Sequence, residues 1–570
     1  MQQRVAERLE RLYGTSAPDC LPKVLACIDR AAIRIPPAQQ RSWDQTDVVL
    51  ITYGDMVRRE EASSLAALSE FLVEQNLHEL ISTVHILPFY PHSSDDGFSV
   101  IDYQAVDPVL GSWDDVTVLS NKFRLAFDLV LNHISSQSEW FAGFLRGEEP
   151  FSRFFHTVNP GADLSAVIRP RSLPLLTAVE TREGTRHVWT TFSEDQIDLN
   201  FAEPDLLVAM LEVLLDYVAR GAQIIRLDAI AFLWKEIGTS CLHLPQTHEV
   251  VKLMRDVLTA VAPHVWLLTE TNVPHEENIS YFGDGDEAQL VYQFSLPPLL
   301  LDAFTEGNAT PLMGWLRKLE PPPQGTTYLN FTASHDGIGV RALEGIVSEE
   351  EVADLVSAVR KRGGLVSTRH CADGTDVPYE LNIAFVDALA PDDAGDTEYH
   401  ARRFLASQAV MLALQGIPAI YFHSLVGSRN DSEGAASSGQ PRRINRRKFE
   451  RQELDAQLAS PGSLAARIYQ GYRRLLAVRR CQPAFHPDAS QTALDTGNPA
   501  LIGFLRESRD PVQKILVLVN VSHQATHLPV DAWLDHEGIV DLLGDHVAVD
   551  AKHVTLEPGR ARWLTPSREK

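Results

Sequence analysis

The 570-residue sequence is short of cations, of sulfur and of uninterrupted apolar runs, and each shortage closes off a class of function. Lysine and arginine total 51 against 76 acidic residues, a formal net charge of -25. A surface this acidic repels nucleic-acid phosphates and anionic lipid, so no nucleic acid and no membrane is expected as a partner. A small anion in a locally basic pocket stays open. The five cysteines (Cys20, Cys27, Cys241, Cys371, Cys481) form no CxxC pair and no zinc spacing. A scattered, odd set fits free thiols in a reducing compartment. No stretch approaches the roughly 18 consecutive apolar residues a membrane span needs. The opening "MQQRVAERLERLYG" is amphipathic and charged, unlike a secretory signal, so a cytoplasmic location is expected. With no calcium loop either, neither a metal nor a cofactor is expected.

What is present is ordinary for a globular enzyme: 44% hydrophobic and 22% charged residues. Residues 1–45 read as a helical extension ending at "RIPPAQQ". Eight short apolar runs follow, at 47–54, 82–89, 124–133, 222–231, 264–271, 288–297, 326–336 and 416–424. Amphipathic helical patterns such as 205–221 and 247–262 separate several of them. Strands alternating with helices imply a parallel sheet, and eight such units suggest an α/β fold of the (β/α)8 TIM-barrel type. The barrel is expected over 46–134 and 200–487, with an inserted domain at 135–199 after the third strand. A second long insertion, 337–400, follows the seventh. From 488 to 570 short β runs with turn signals suggest a C-terminal antiparallel β-sandwich domain.

Four of the strands finish in polar residues. The third ends at Asp128, Asn132 and His133, the fourth carries Arg226 and Asp228, the fifth ends at Glu270, and the seventh at His335 and Asp336. Any one of these alone reads as a helix cap or a structural pair. In a barrel, however, strand ends converge on one rim, and polar residues there read as catalytic. Side chains alternate along a strand with period two, so Arg226 and Asp228 share a face and Arg226 is placed to keep Asp228 ionised. Like charges in one pocket raise one another's pKa, so one carboxyl can stay protonated while another stays ionised. That division suits glycoside chemistry, in which one carboxylate attacks the anomeric carbon and a second protonates the leaving oxygen.

The segments "DLVLNH", "IIRLDAIAF", "LLTETN" and "SHDG" resemble, in order and spacing, four signature regions of the α-amylase superfamily. The resemblance covers essentially the whole chain. It implies that Asp228 is the nucleophile, Glu270 the general acid/base and Asp336 the transition-state stabiliser, with His133 and His335 binding the glucosyl unit. Finer features, "HILPFYPHSSDDGFSVIDY", "KEIGTSC", "FSLPPLLLDA" and "SHDGIGV", resemble the sucrose phosphorylase subfamily. By that likeness Asp96 and Arg446 grip the far end of the glucosyl ring and Phe98 supplies an apolar platform. Arg169 and Arg171 in "VIRPRSLPLLT", with Tyr379 and Glu380 in "DGTDVPYELN", fall at the phosphate and acceptor site.

True sucrose phosphorylases resemble "LYQVN" at this second loop, so Glu380 replaces a glutamine that faces fructose. Together with "RPRSLPLLT" and "YFHSLVGSRNDSEGAASSGQPRRINRRKFE", this points toward the glucosylglycerate and sucrose 6'-phosphate phosphorylases, whose acceptors are anionic. Arg169, Arg429, Arg442 and Arg443 are the basic residues expected to serve such an acceptor. The resemblance therefore implies a retaining phosphorylase of a small α-glucoside with inorganic phosphate as partner. Its expected substrate is 2-O-α-glucosylglycerate, ahead of sucrose 6'-phosphate, sucrose, glucosylglycerol or simple hydrolysis. The enzyme is expected as a monomer or homodimer.

Overall fold

A computed structural model describes residues 1–170, 173–370, 375–391, 395–534, 538–544, 548–549 and 553–567. Eight parallel strands close into a barrel. They are β1 (Val49–Thr52), β2 (Thr83–Ile86), β3 (Arg124–Val130), β4 (Ala222–Asp228), β5 (Trp266–Thr269), β6 (Leu290–Tyr292), β7 (Thr327–Asn330) and β8 (Ile417–Tyr421). Each lies within one of the eight apolar runs. Barrel strands are covered on both sides, which is why they read as near-continuous Val, Ile and Leu.

On β4, Ile225 and Leu227 face outward into the helix layer, while Arg226 and Asp228 face the interior. The register pairs Asp128 with Arg226 and Val130 with Asp228 across β3 and β4. Gly221, at φ 102°, makes the tight turn from helix Pro204–Ala219 into β4.

The helices Gln2–Tyr13 and Ala17–Arg34 lie outside the barrel against helices Pro245–Val261 and Pro204–Ala219. Arg8 anchors the first by ion pairs to Glu249 (3.3 Å) and Asp286 (3.0 Å). After β3 the chain adds helix Glu139–Arg146 and the antiparallel pair Leu176–Thr181 with Gly184–Trp189. After β7 it adds helix Glu349–Lys361 and a hairpin of Leu365–His370 with Asp376–Asn382.

The expected C-terminal β region is a six-stranded antiparallel sheet. Its strands are β9 (Ser490–Ala493), β10 (Leu501–Arg509), β11 (Val512–Asn520), β13 (Ile539–Asp541), β14 (Ala548–Val549) and β16 (Ala561–Pro566). A two-stranded ribbon, β12 (Thr526–Pro529) with β15 (His553–Leu556), covers its outer face. Period-two alternation divides the sheet. Phe504, Val517 and Trp563 join the barrel's core, and Leu505, Leu516 and Leu564 form a second core under the ribbon. The fully buried Arg506 ties sheet to barrel, donating to the carbonyls of Ala413 and of His486 (2.8 Å), Ala489 and Ser490. Among the described residues, no helix is long and apolar enough to cross a membrane.

Candidate active site

The carboxyl ends of the strands open on one cavity, and its wall includes Asp228, Glu270 and Asp336. Beneath it the interior carries a charged ring. His85 on β2 contacts Asp128 on β3 at 2.6 Å, and Arg226 donates through Nη1 to Asp128 and to Asp228 (2.7 Å). Its Nη2 lies 3.9 Å from Glu270 Oε2. A buried guanidinium is costly unless compensated, and here two carboxylates hydrogen-bond it while a third stands close. Ala229 follows β4 in the left-handed region, at φ 49°, and its N–H donates to Glu270 Oε2 at 2.9 Å. Positive φ on a residue with a Cβ is strained, and that strain aims one backbone donor at the second carboxylate.

The three carboxyls differ in protonation. Burial raises Glu270 most, to about 7, with Arg226 opposing and Asp228 and Asp336 adding to it. Burial likewise raises Asp228, to about 6, against the pull of Arg226. Arg226 works to keep Asp228 ionised, but burial outweighs it, and Asp128, which shares the guanidinium, adds its own negative charge. Asp336 goes the other way. Burial works to raise it, but Arg442 (2.6 Å), His335 and Arg446 hold it well below the usual carboxylate range. The group nearest neutrality is therefore Glu270, and the most firmly ionised is Asp336.

Phe98 stacks flat on His335, with ring centroids 4.8 Å apart and planes 4° apart. His133 faces the Phe98 carbonyl through Nε2 at 2.9 Å. Burial pushes His133 down to about 4 and His335 to about 3, so both are neutral bases at physiological pH. Arg169, Tyr379 and Glu380 also reach the cavity wall, whereas Arg171 lies outside the described residues.

Asp96 and Arg446 differ from expectation. They pair at 2.7 Å behind the wall, with Arg443 also on Asp96 at 3.0 Å, and the residues that line the cavity are Asp95 and Arg442. Asp95 and Asp96 are both left-handed, at φ 51° and 50°, so the turn sends the two side chains in different directions. Glu380 does not offer a bare carboxylate to an acceptor either. Arg442 grips it in a fork, at 3.0 and 2.8 Å, while reaching Asp336 with its remaining nitrogen. Arg429 is spent on Asp387, away from the cavity. Among the described residues, no three His, Cys, Asp or Glu side chains converge to hold a metal ion.

The α-amylase catalytic-domain family model matches residues 75–319. A glucosylglycerate phosphorylase of Allomeiothermus silvanus is 51% identical over 87% of this chain and 88% of its own length. One from Spirochaeta thermophila is 46% identical over 100% of this chain and 99% of its own. The chain belongs to the α-amylase family. Within it, the chain groups with the glycoside phosphorylases related to sucrose phosphorylase. The crystal structure of sucrose 6F-phosphate phosphorylase from Thermoanaerobacter thermosaccharolyticum shares the fold. Its TM-score is 0.73 at 26% identity, over 84% of this chain and 94% of that one.

For a member of the α-amylase family, several residues in and beneath the cavity wall escaped the strand-end reading. His85 carried the same signal as Arg226, a polar residue in an alternating apolar strand. Gln196, 3.2 Å from His133, sits in the insertion and carried none. Nor did Arg341 and Arg369, which enter the wall from the segments after β7.

Proposed function

We propose that the enzyme phosphorolyses 2-O-α-glucosylglycerate with retention, giving α-glucose 1-phosphate and glycerate. The observation that carries this reading is the graded protonation of three carboxyls in one cavity, on a chain whose named relatives are glucosylglycerate phosphorylases. In the first step Asp228 attacks the anomeric carbon while Glu270, protonated up to about pH 7, gives its proton to the departing glycerate oxygen. The positive charge that builds on the ring faces Asp336, the carboxylate held ionised by Arg442. In the second step Glu270 takes a proton from phosphate as the phosphate oxygen displaces Asp228, restoring both groups.

The stacked Phe98–His335 pair offers a flat floor for one glucosyl ring, and Asp95 and Arg442 close its far side. Arg169 and Tyr379, which also line the cavity, receive phosphate in this reading. Arginine suits that role because its planar fork binds oxyanions bidentately.

The test supplies purified enzyme with α-glucose 1-phosphate and, separately, glycerate, glycerol, fructose or fructose 6-phosphate, and follows phosphate release. Glycerate is expected to give the highest kcat/KM; faster turnover of fructose 6-phosphate overturns the choice of acceptor. Equal glucose release from glucosylglycerate with and without phosphate overturns phosphorolysis itself.

A further inference from the structure

Two arginines outside the expected set reach the cavity wall. Arg341 sits five residues beyond Asp336, and Arg369 stands on the first strand of the hairpin that also presents Tyr379 and Glu380. Both line the same cavity as Glu270. Thr271 and Asn272 continue the wall directly from Glu270, and Asn272 packs so closely on Gly339 that a Cβ there would sit 2.4 Å from its amide. Arg341 follows Gly339 by two residues, so this stretch is pinned beside the acid/base.

Arg369 is hydrogen-bonded and Arg341 is only loosely held. They share one carboxylate, Glu344, at 3.1 Å from Arg369 and 4.0 Å from Arg341. Arg341 lies 3.7 Å from Glu277, beyond hydrogen-bond reach. Its side chain is 13% exposed, whereas Glu344 and Glu277 are 48% and 41% exposed, so water screens both carboxylates from the cation they face. Among the described residues, the buried Arg341 Nε has no acceptor, and the buried Asn272 Oδ1 on the same wall has no donor. Buried polar atoms are almost always paired, and an unpaired donor and an unpaired acceptor on one cavity wall match a ligand bearing both an oxyanion and a hydroxyl.

We propose that Arg341 and Arg369 form an oxyanion clamp for the carboxylate of the leaving acid, with Asn272 accepting from its neighbouring hydroxyl, and that this clamp sets the preference for an anionic over a neutral acceptor. The clamp rests on the phosphorolysis reading above. It assigns acceptor selection to residues distinct from Arg169 and Arg442.

The experiment compares wild type with Arg341→Gln, Arg369→Gln and Arg341→Lys in the synthetic direction. KM is measured for glycerate, glycerol and α-glucose 1-phosphate, and for inorganic phosphate in the forward direction. The glutamine variants are expected to raise the glycerate KM by about 10- to 100-fold, the loss of one or two charge-assisted hydrogen bonds. The glycerol and phosphate KM values are expected to stay within about 3-fold, so the glycerate preference collapses. Arg341→Lys is expected to recover part of it, keeping the charge without the fork. A rise in the phosphate KM with the glycerate KM unmoved overturns the clamp and makes the pair a phosphate site. An equal fall in kcat for glycerate and glycerol overturns it as well. Wild type that ignores glycerate refutes the proposed function instead. Arg369 lies on a partly exposed hairpin strand, so its variant gives a reading even where Arg341→Gln does not fold.

Discussion

The pH dependence of kcat/KM follows from the two raised carboxyls. Under the proposed mechanism, forming the covalent intermediate needs Asp228 ionised and Glu270 protonated. The rate therefore rises as pH climbs through about 6, the Asp228 value, and falls as pH climbs through about 7, the Glu270 value. With limbs one unit apart, about 60% of molecules are correctly protonated at the midpoint near pH 6.5, and about 3% at pH 4.5 or 8.5. The profile is thus a narrow bell that loses about 20-fold two units either side. Because kcat/KM reports the free enzyme, the values that matter are those of the unliganded cavity. The assay is the initial rate of α-glucose 1-phosphate release at glucosylglycerate well below KM, across pH 4.5 to 9, with enzyme returned to pH 6.5 to confirm reversibility. Glu270→Gln removes the titrating acid, so the alkaline limb is expected to vanish along with about 10²- to 10⁴-fold of the rate. A rate flat from pH 5 to 9, or an alkaline limb that persists in Glu270→Gln, refutes the assignment of acid and nucleophile.

Other outcomes follow from particular contacts. Arg442→Gln strips the counterion from both Asp336 and Glu380. It is expected to cost about 2–3 kcal/mol, less than a fully buried pair because Arg442 and Asp336 are each a quarter exposed, and to lower kcat/KM by about 100-fold. Urea denaturation and steady-state rates check both, and unchanged values refute the bridge. Gly97→Ala puts a Cβ at φ 112° and 2.4 Å from the Pro88 carbonyl oxygen. A loss of about 2–4 kcal/mol and a raised KM for α-glucose 1-phosphate are expected as the neighbouring Phe98 shifts. Arg506→Met removes the side-chain donor to four carbonyls, those of Ala413, His486, Ala489 and Ser490. Hydrogen exchange in Val512–Asn520 is expected to speed up, reflecting about 3 kcal/mol, while the bell-shaped profile keeps its limbs.

The barrel was legible in the sequence because a parallel strand covered on both faces has to be apolar almost throughout. That composition is local and survives without the rest of the chain. The three carboxyls of the cavity were legible for a related reason: Asp228 stands out at an inward position of β4, and Glu270 and Asp336 follow β5 and β7 where apolar runs turn polar. Arg226 shows where this stops. Its face and its partnership with Asp228 followed from period two, but its sharing with Asp128 required β3 to lie beside β4 in register.

Only tertiary structure decided the outer shell of the cavity. Asp95 and Asp96 are chemically identical and adjacent, and a pair of left-handed residues chose which one faces the cavity. Arg442, Arg443 and Arg446 form one basic cluster in sequence, yet Arg442 bridges Asp336 and Glu380, Arg443 takes Asp96, and Arg446 bonds Asp96 and the carbonyl of His335 while standing 3.6–3.7 Å from Asp95 and Asp336. Arg341 and Arg369 reach one wall from segments 28 residues apart, through a hairpin whose placement no local pattern encodes. Strand identity and strand-end chemistry are properties of a few consecutive residues, so the sequence by itself determined them. Which cation meets which anion depends on long-range placement and on burial, which sets the strength of every charge in the cavity.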